Sequence, residues 1–118
     1  MAYDDANATV RRTIDISNLA VTSSASKAKY VIFQKSRLRA VHCLVGVAGT
    51  NASAGIDIYV GTSSVGALTY GTNTAGVVVD ATITADIPAD SLLEIKGKAS
   101  SEATVSLAIE LQATGDAV

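Results

Sequence analysis

Ala103-Thr104-Val105-Ser106-Leu107-Ala108-Ile109-Glu110-Leu111-Gln112-Ala113 alternates without a break, with Ala103, Val105, Leu107, Ile109 and Leu111 on one side and Thr104, Ser106, Ala108, Glu110 and Gln112 on the other. A period of two is that of a β-strand with one buried and one solvated face. The same habit recurs along the chain. Leu93 and Ile95 lead to Gly97, after a break at Ile87-Pro88-Ala89-Asp90, where proline has no N–H to give a sheet ladder. Val77, Val79, Ala81 and Ile83 alternate with Val78, Asp80, Thr82 and Thr84, and Ile56, Ile58 and Val60 alternate with Asp57 and Tyr59. From Leu38 to Ala48, Val41, Cys43, Val45 and Val47 share a face, and Arg39 continues that row outward. Tyr30 to Phe33 is a short apolar strand, and in residues 10–17 Ile14 and Ile16 oppose Thr13 and Asp15.

Between these runs lie turn-forming stretches: Thr22 to Lys29, Gly49 to Gly55, and Gly61 to Gly76 with a short strand at Val65 to Tyr70. Ser23 to Lys29 is too short to hold a helix by itself. The pattern predicts an all-β chain of seven or eight strands, folded as an antiparallel two-sheet β-sandwich of jelly-roll-like type, with a small closed barrel as the other architecture that fits. Residues 1–13 are expected to form an extended N-terminal arm, 14–113 a single sandwich domain, and 114–118 a tail.

Composition narrows the function. Of 118 residues, 48% are apolar and 17% charged, which supports a packed core, and the net charge of -2 offers no general attraction to nucleic acid or an anionic membrane. There is no Trp and aromatics make up 4%, so stacking platforms for bases or sugars are scarce. One Cys and one His remove disulfide frameworks and most metal cages. The start, Met1-Ala2-Tyr3-Asp4-Asp5, is acidic and lacks the pattern of a secretory signal, so synthesis in a cytoplasm is expected.

No constellation for catalysis emerges. His42 and Cys43 are adjacent on a strand and so point to opposite faces, which reads Cys43 as a small buried hydrophobe rather than a nucleophile beside its base. Asp57, Asp80, Asp86 and Asp90 are read as turn caps and solvated-face residues, because no dense run of oxygen ligands gathers them. The glycine-containing segments Gly61-Thr62-Ser63-Ser64 and Gly71-Thr72-Asn73-Thr74 lack the Lys and the following helix of a phosphate loop. The expectation is a chain without enzymatic activity, cofactor or metal.

Charge is segregated: the first 39 residues hold seven bases and three acids, and the remaining 79 hold two bases and eight acids. Lys35, Arg37 and Arg39 occupy alternate positions and would project together as a basic strip suited to an acidic surface. The other reading of the strip is a solvated face, or an edge guarded by charge.

The start Ala2-Tyr3-Asp4-Asp5-Ala6-Asn7-Ala8-Thr9, the block from Ile87 to Gly97 and the terminal strand Ala103 to Ala113 together resemble a small tailed-bacteriophage virion protein of the capsid decoration, or cement, class. The resemblance lies in composition and style over most of the chain rather than in a motif. It implies a structural protein on the exterior of an icosahedral capsid that bridges neighbouring copies of the major capsid protein. It also implies a symmetric homo-oligomer, trimer ahead of dimer, with no nucleic-acid or membrane partner. Under that reading the capsid-binding residues are Tyr3, Arg11 and Arg12 on the arm and Lys35, Arg37 and Arg39 on the strip. The alternative is a receptor- or carbohydrate-binding sandwich of a tail or head fibre, recognising its ligand through the Gly61 to Gly76 region with Tyr59 and Tyr70 beside it.

Overall fold

In the computed structural model, which describes residues 11–21, 26–98 and 103–114, every regular element is a strand. These are β1 (Arg11–Val21), β2 (Ser26–Ile32), β3 (Ser36–Val47), β4 (Gly55–Val60), β5 (Ser63–Thr69), β6 (Val78–Ala81), β7 (Ala85–Ile87), β8 (Ser91–Gly97) and β9 (Ala103–Ala113). One sheet has the order β1-β9-β3-β6, with β7 also paired to β3, and the other has the order β2-β8-β4-β5. All pairings are antiparallel. If β6 and β7 are taken as one interrupted strand, eight strands lie in the orders 1-8-3-6 and 2-7-4-5, the winding of a jelly roll. The expected two-sheet sandwich therefore holds and the closed barrel does not.

The expected seven or eight strands become nine because residues 78–87 divide. Opposite the division, β3 carries an extra residue: Leu38 pairs with Leu111 and Ala40 with Glu110, which leaves Arg39 as a bulge. The bulge lets Leu38 and Val41 both face inward at 0% exposure, so Arg39 does not extend the Val41–Cys43–Val45 row as its spacing suggested. A second shift, between Val45 and Val47, turns Val47 out to 59% exposure, where alternation alone had placed it in the core. The 22–29 loop is also shorter than expected, since Ser26 to Lys29 already pair in β2.

β9 lies at the centre of its sheet, and its whole inner row from Ala103 to Ala113 is buried. Ile109 stacks between Ile14 of β1 and Val41 of β3, while Ile58 and Ile95 cross-pair on the opposing sheet. β1 keeps Ile16 and Leu19 on the same inner side by a bulge at which Asn18 takes a left-handed φ of 53°, a conformation Asn tolerates better than most residues. The Asn18 N–H donates to Ser106 Oγ at 3.1 Å, so the bulge is tied to β9. Ile83, between β6 and β7, packs onto β5 at Gly66, where a Cβ would lie 2.7 Å from Ile83 Cγ2.

Candidate functional site

The strand order brings the acidic second half of the chain against its basic first half. Arg37 Nη1 donates to Asp86 Oδ1 of β7 at 2.9 Å, and Lys29 of β2 faces Glu94 of β8 at 4.0 Å. The cross-strand charge pairs are internal to the fold, and the expected basic strip is correspondingly broken up. Arg37 is ion-paired on the outer face of the five-stranded sheet, Arg39 is the half-buried bulge residue, and Lys35 lies exposed just before β3.

Among the described residues, three titratable side chains meet on that same outer face. His42 is held between Asp80 of β6 and Glu110 of β9, with Nδ1 2.6 Å from Asp80 Oδ1 and Nε2 2.5 Å from Glu110 Oε2. The Glu110 hydrogen bond, followed by that to Asp80, raises the imidazole pKa above its usual 6.5. Each ring nitrogen faces its own carboxylate, and among the described residues no group of three or more His, Cys, Asp or Glu is placed to hold a metal ion. The sequence had set His42, Asp80 and Glu110 each on a polar face. Their convergence rests on β6 and β9 flanking β3, and local periodicity carries no signal of that neighbourhood.

Cys43 points the other way, into the core at 0% exposure, and burial pushes its thiol up to about 11, far from a nucleophile's range. Of the other acids, Asp86 pairs with Arg37, Asp90 adopts a left-handed φ of 60° in the turn after Pro88, and Asp57 is half-buried on β4.

Two exposed apolar surfaces stand apart from one another. On the outer face of the five-stranded sheet, Leu44 is 46% exposed beside its cross-strand partner Val78 at 59%, with Val47 beyond. Ser106 and Ala108 floor a shallow depression of about 310 Å³ there, bounded by Asp15, His42, Leu44 and Val78. The second surface is the flank where β1 and β2, each the last strand of its sheet, run past one another. A groove of about 430 Å³ opens between them, floored by Ile14, Tyr30, Ile32 and Leu111 and rimmed by Arg12 and Phe33, which is 76% exposed.

Of the sequence-derived binding residues, Tyr3 lies outside the described residues. Arg11, Arg12 and Thr13, read as the end of an arm, are paired with Gln112, Leu111 and Glu110 in β1. The region expected to carry sugar recognition offers no open ring among its described residues. Tyr70 is buried at 1% exposure, and Lys96 Nζ stands 4.3 Å from the centre of the Tyr59 ring. Within Gly61 to Gly76, Ser63–Thr69 is β5, with a two-residue turn at Gly61 and Thr62 before it.

No protein-family model and no curated protein matches the sequence. Among solved structures, the chain is similar to the catalytic domain of a GH87 alpha-1,3-glucanase in complex with nigerose, at a TM-score of 0.52 and 10% identity. That match covers 94% of this chain and 27% of the glucanase chain. It is also similar to a carbohydrate-binding module, CBM36, in complex with calcium and xylotriose, at a TM-score of 0.49 and 11% identity over 86% of this chain and 98% of that one. A third similar structure is that of infectious bursal disease virus, Gx strain, with a TM-score of 0.43, 15% identity, and coverage of 94% of this chain and 34% of that chain. At 10% identity the likeness to the glucanase domain concerns the fold alone.

Proposed function

We propose that this chain is a non-enzymatic virion structural protein that binds the outside of an icosahedral bacteriophage capsid and stabilises it by bridging major capsid subunits. The observation that carries the reading is the exposed apolar end of the five-stranded sheet, Leu44, Val47 and Val78, beside the small side chains of Ser106 and Ala108 on a face that also carries Arg37 and the Asp80–His42–Glu110 cluster. An exposed apolar patch on a sheet face suits docking onto another protein surface. A protein that binds only the assembled lattice raises the free energy of disassembly by mass action, and many copies bridging subunits already held close add avidity. With Arg37 engaged by Asp86, electrostatic steering falls to Lys35 and Arg39, and binding depends only weakly on salt.

The test is co-sedimentation of the protein with mature shells over a salt series, wild type beside Leu44→Ser/Val78→Ser. Saturable binding at a fixed ratio per capsid subunit is expected. Burying the exposed 46% of Leu44 and 59% of Val78 contributes about 1.6–3.2 kcal/mol in total, so the double variant should bind roughly 15- to 200-fold more weakly. Absence of wild-type binding at every salt overturns the reading.

The second reading, a carbohydrate-binding module, draws on the depression over Ser106 and Ala108, where Asp15 and Ser17 offer hydrogen-bonding groups. Glycan-array hits from a protein that ignores shells would establish it instead.

A further inference from the structure

We propose that the groove between β1 and β2 receives the N-terminal segment, residues 1–10, of a second copy of this chain, and that copies linked in this way form a closed homo-oligomer. β1 and β2 are terminal strands of opposite sheets, so an extended segment laid between them continues a sheet and covers the apolar floor of Ile14, Ile32 and Leu111 in one step. The rim selects the charge of the occupant. Arg12 lines the groove, and Lys35 lies exposed one residue beyond Gln34, another lining residue.

Residues 1–10, Met-Ala-Tyr-Asp-Asp-Ala-Asn-Ala-Thr-Val, match those requirements. They hold two Asp and no Lys or Arg, and their one aromatic, Tyr3, neighbours Asp4. In an extended segment these two side chains point oppositely, so Tyr3 toward the floor leaves Asp4 toward the cationic rim. No Gly or Pro interrupts the ten residues. The segment joins the body at Arg11, next to Arg12 at the groove itself, so entering its own groove would require an immediate reversal across Ala8-Thr9-Val10, which holds no Gly, Pro, Asn or Asp. A neighbour's groove requires none. Ten extended residues reach about 33 Å, against body dimensions of 27 and 19 Å across the long axis. Arm-into-groove contact is heterologous, since each copy uses one surface to give and another to receive, and such contacts close into rings when the rotation permits.

Light scattering on the purified chain across a concentration series reads this directly, with no shell present, so its outcome is separate from that of the capsid reading. The full chain should form one closed oligomer of fixed size. Deleting residues 1–9 should give a folded monomer, and Phe33→Ser, which changes a side chain 76% exposed, should weaken association about 10- to 100-fold while leaving the far-UV circular dichroism spectrum unchanged. Should the deletion lower the melting temperature, Tyr3→Ser/Asp4→Lys serves as the arm variant. The deciding experiment mixes the two defects: the deletion variant has a groove and no arm, Phe33→Ser has an arm and a weakened groove, and together they should form a one-to-one heterodimer. A full chain that stays monomeric, an oligomer that survives both changes, or a mixture that does not associate overturns the proposal.

Discussion

Replacing His42 with Gln removes the one imidazolium on the outer sheet face while leaving a side chain able to form one of its two hydrogen bonds. The two contacts are unequal. Glu110 is 29% exposed at its side chain and Asp80 is 64% exposed, so water screens the Asp80 pair far more. With the imidazole itself 38% exposed, the Glu110 contact contributes about 1 kcal/mol and the Asp80 contact a few tenths, the range of a partly sheltered and an exposed ion pair. At roughly 4 °C per kcal/mol for a chain of this size, His42→Gln should melt about 4–6 °C lower at pH 5.5. The sign of the pH dependence follows from linkage. The folded pKa of His42 lies above its unfolded 6.5, so the stabilisation is complete below 6.5 and is lost as pH rises through the folded value. The gap in melting temperature between wild type and His42→Gln should therefore be widest near pH 5.5 and close on the alkaline side of 6.5. Glu110→Gln should reproduce most of the effect and Asp80→Asn little of it. Calorimetry from pH 5.5 to 9 checks this, and a gap that stays constant, or widens with pH, would refute the imidazolium–carboxylate account.

Three further outcomes follow from the fold. Ile109→Ala, at 0% exposure between Ile14 and Val41, should cost about 2–5 kcal/mol, whereas Ala108→Ser on the opposite side of the same strand should stay within about 0.5 kcal/mol by urea denaturation. Gly55→Ala should cost at least about 1–3 kcal/mol by the same measurement, because its Cβ would stand 2.2 Å from the Leu68 carbonyl oxygen, a backbone atom of the paired strand that cannot rotate away. Cys43 should resist an aromatic disulfide reagent at pH 8 in the folded protein and react only at the rate of unfolding, since its thiol is buried and pushed up to about 11.

Where a strand is regular, its sequence was enough to orient it. The inner row of β9, the core positions Ile56 and Ile58 of β4, Leu93 and Ile95 of β8, and Cys43 in β3 are all buried as alternation requires. Bulges defeat that reasoning. One extra residue at Arg39 and another shift before Val47 invert the parity on either side, and nothing in Ser36–Val47 marks where the insertion falls until β9 supplies the register. The interruption between β6 and β7 has the same origin. The docking surfaces were less legible still. Phe33 and Val31 read as core-like strand residues yet are 76% and 53% exposed, because they flank Ile32, which takes the inward position.

Period-two patterning is a property of neighbouring residues, so the sequence by itself determined that this is an all-β chain, which rows are apolar in its regular strands, and that His42 and Cys43 cannot act together. Pairing is a property of distant ones. Only the tertiary structure decided that Glu110, 68 positions from His42, would lie beside it, that Asp86 would neutralise Arg37, and that β1 and β2 would leave a groove at the flank. Backbone hydrogen bonds pair any two strands alike. The choice among strand orders is made by how whole apolar faces pack across the two sheets, and that choice sets which charges meet and which surfaces stay open.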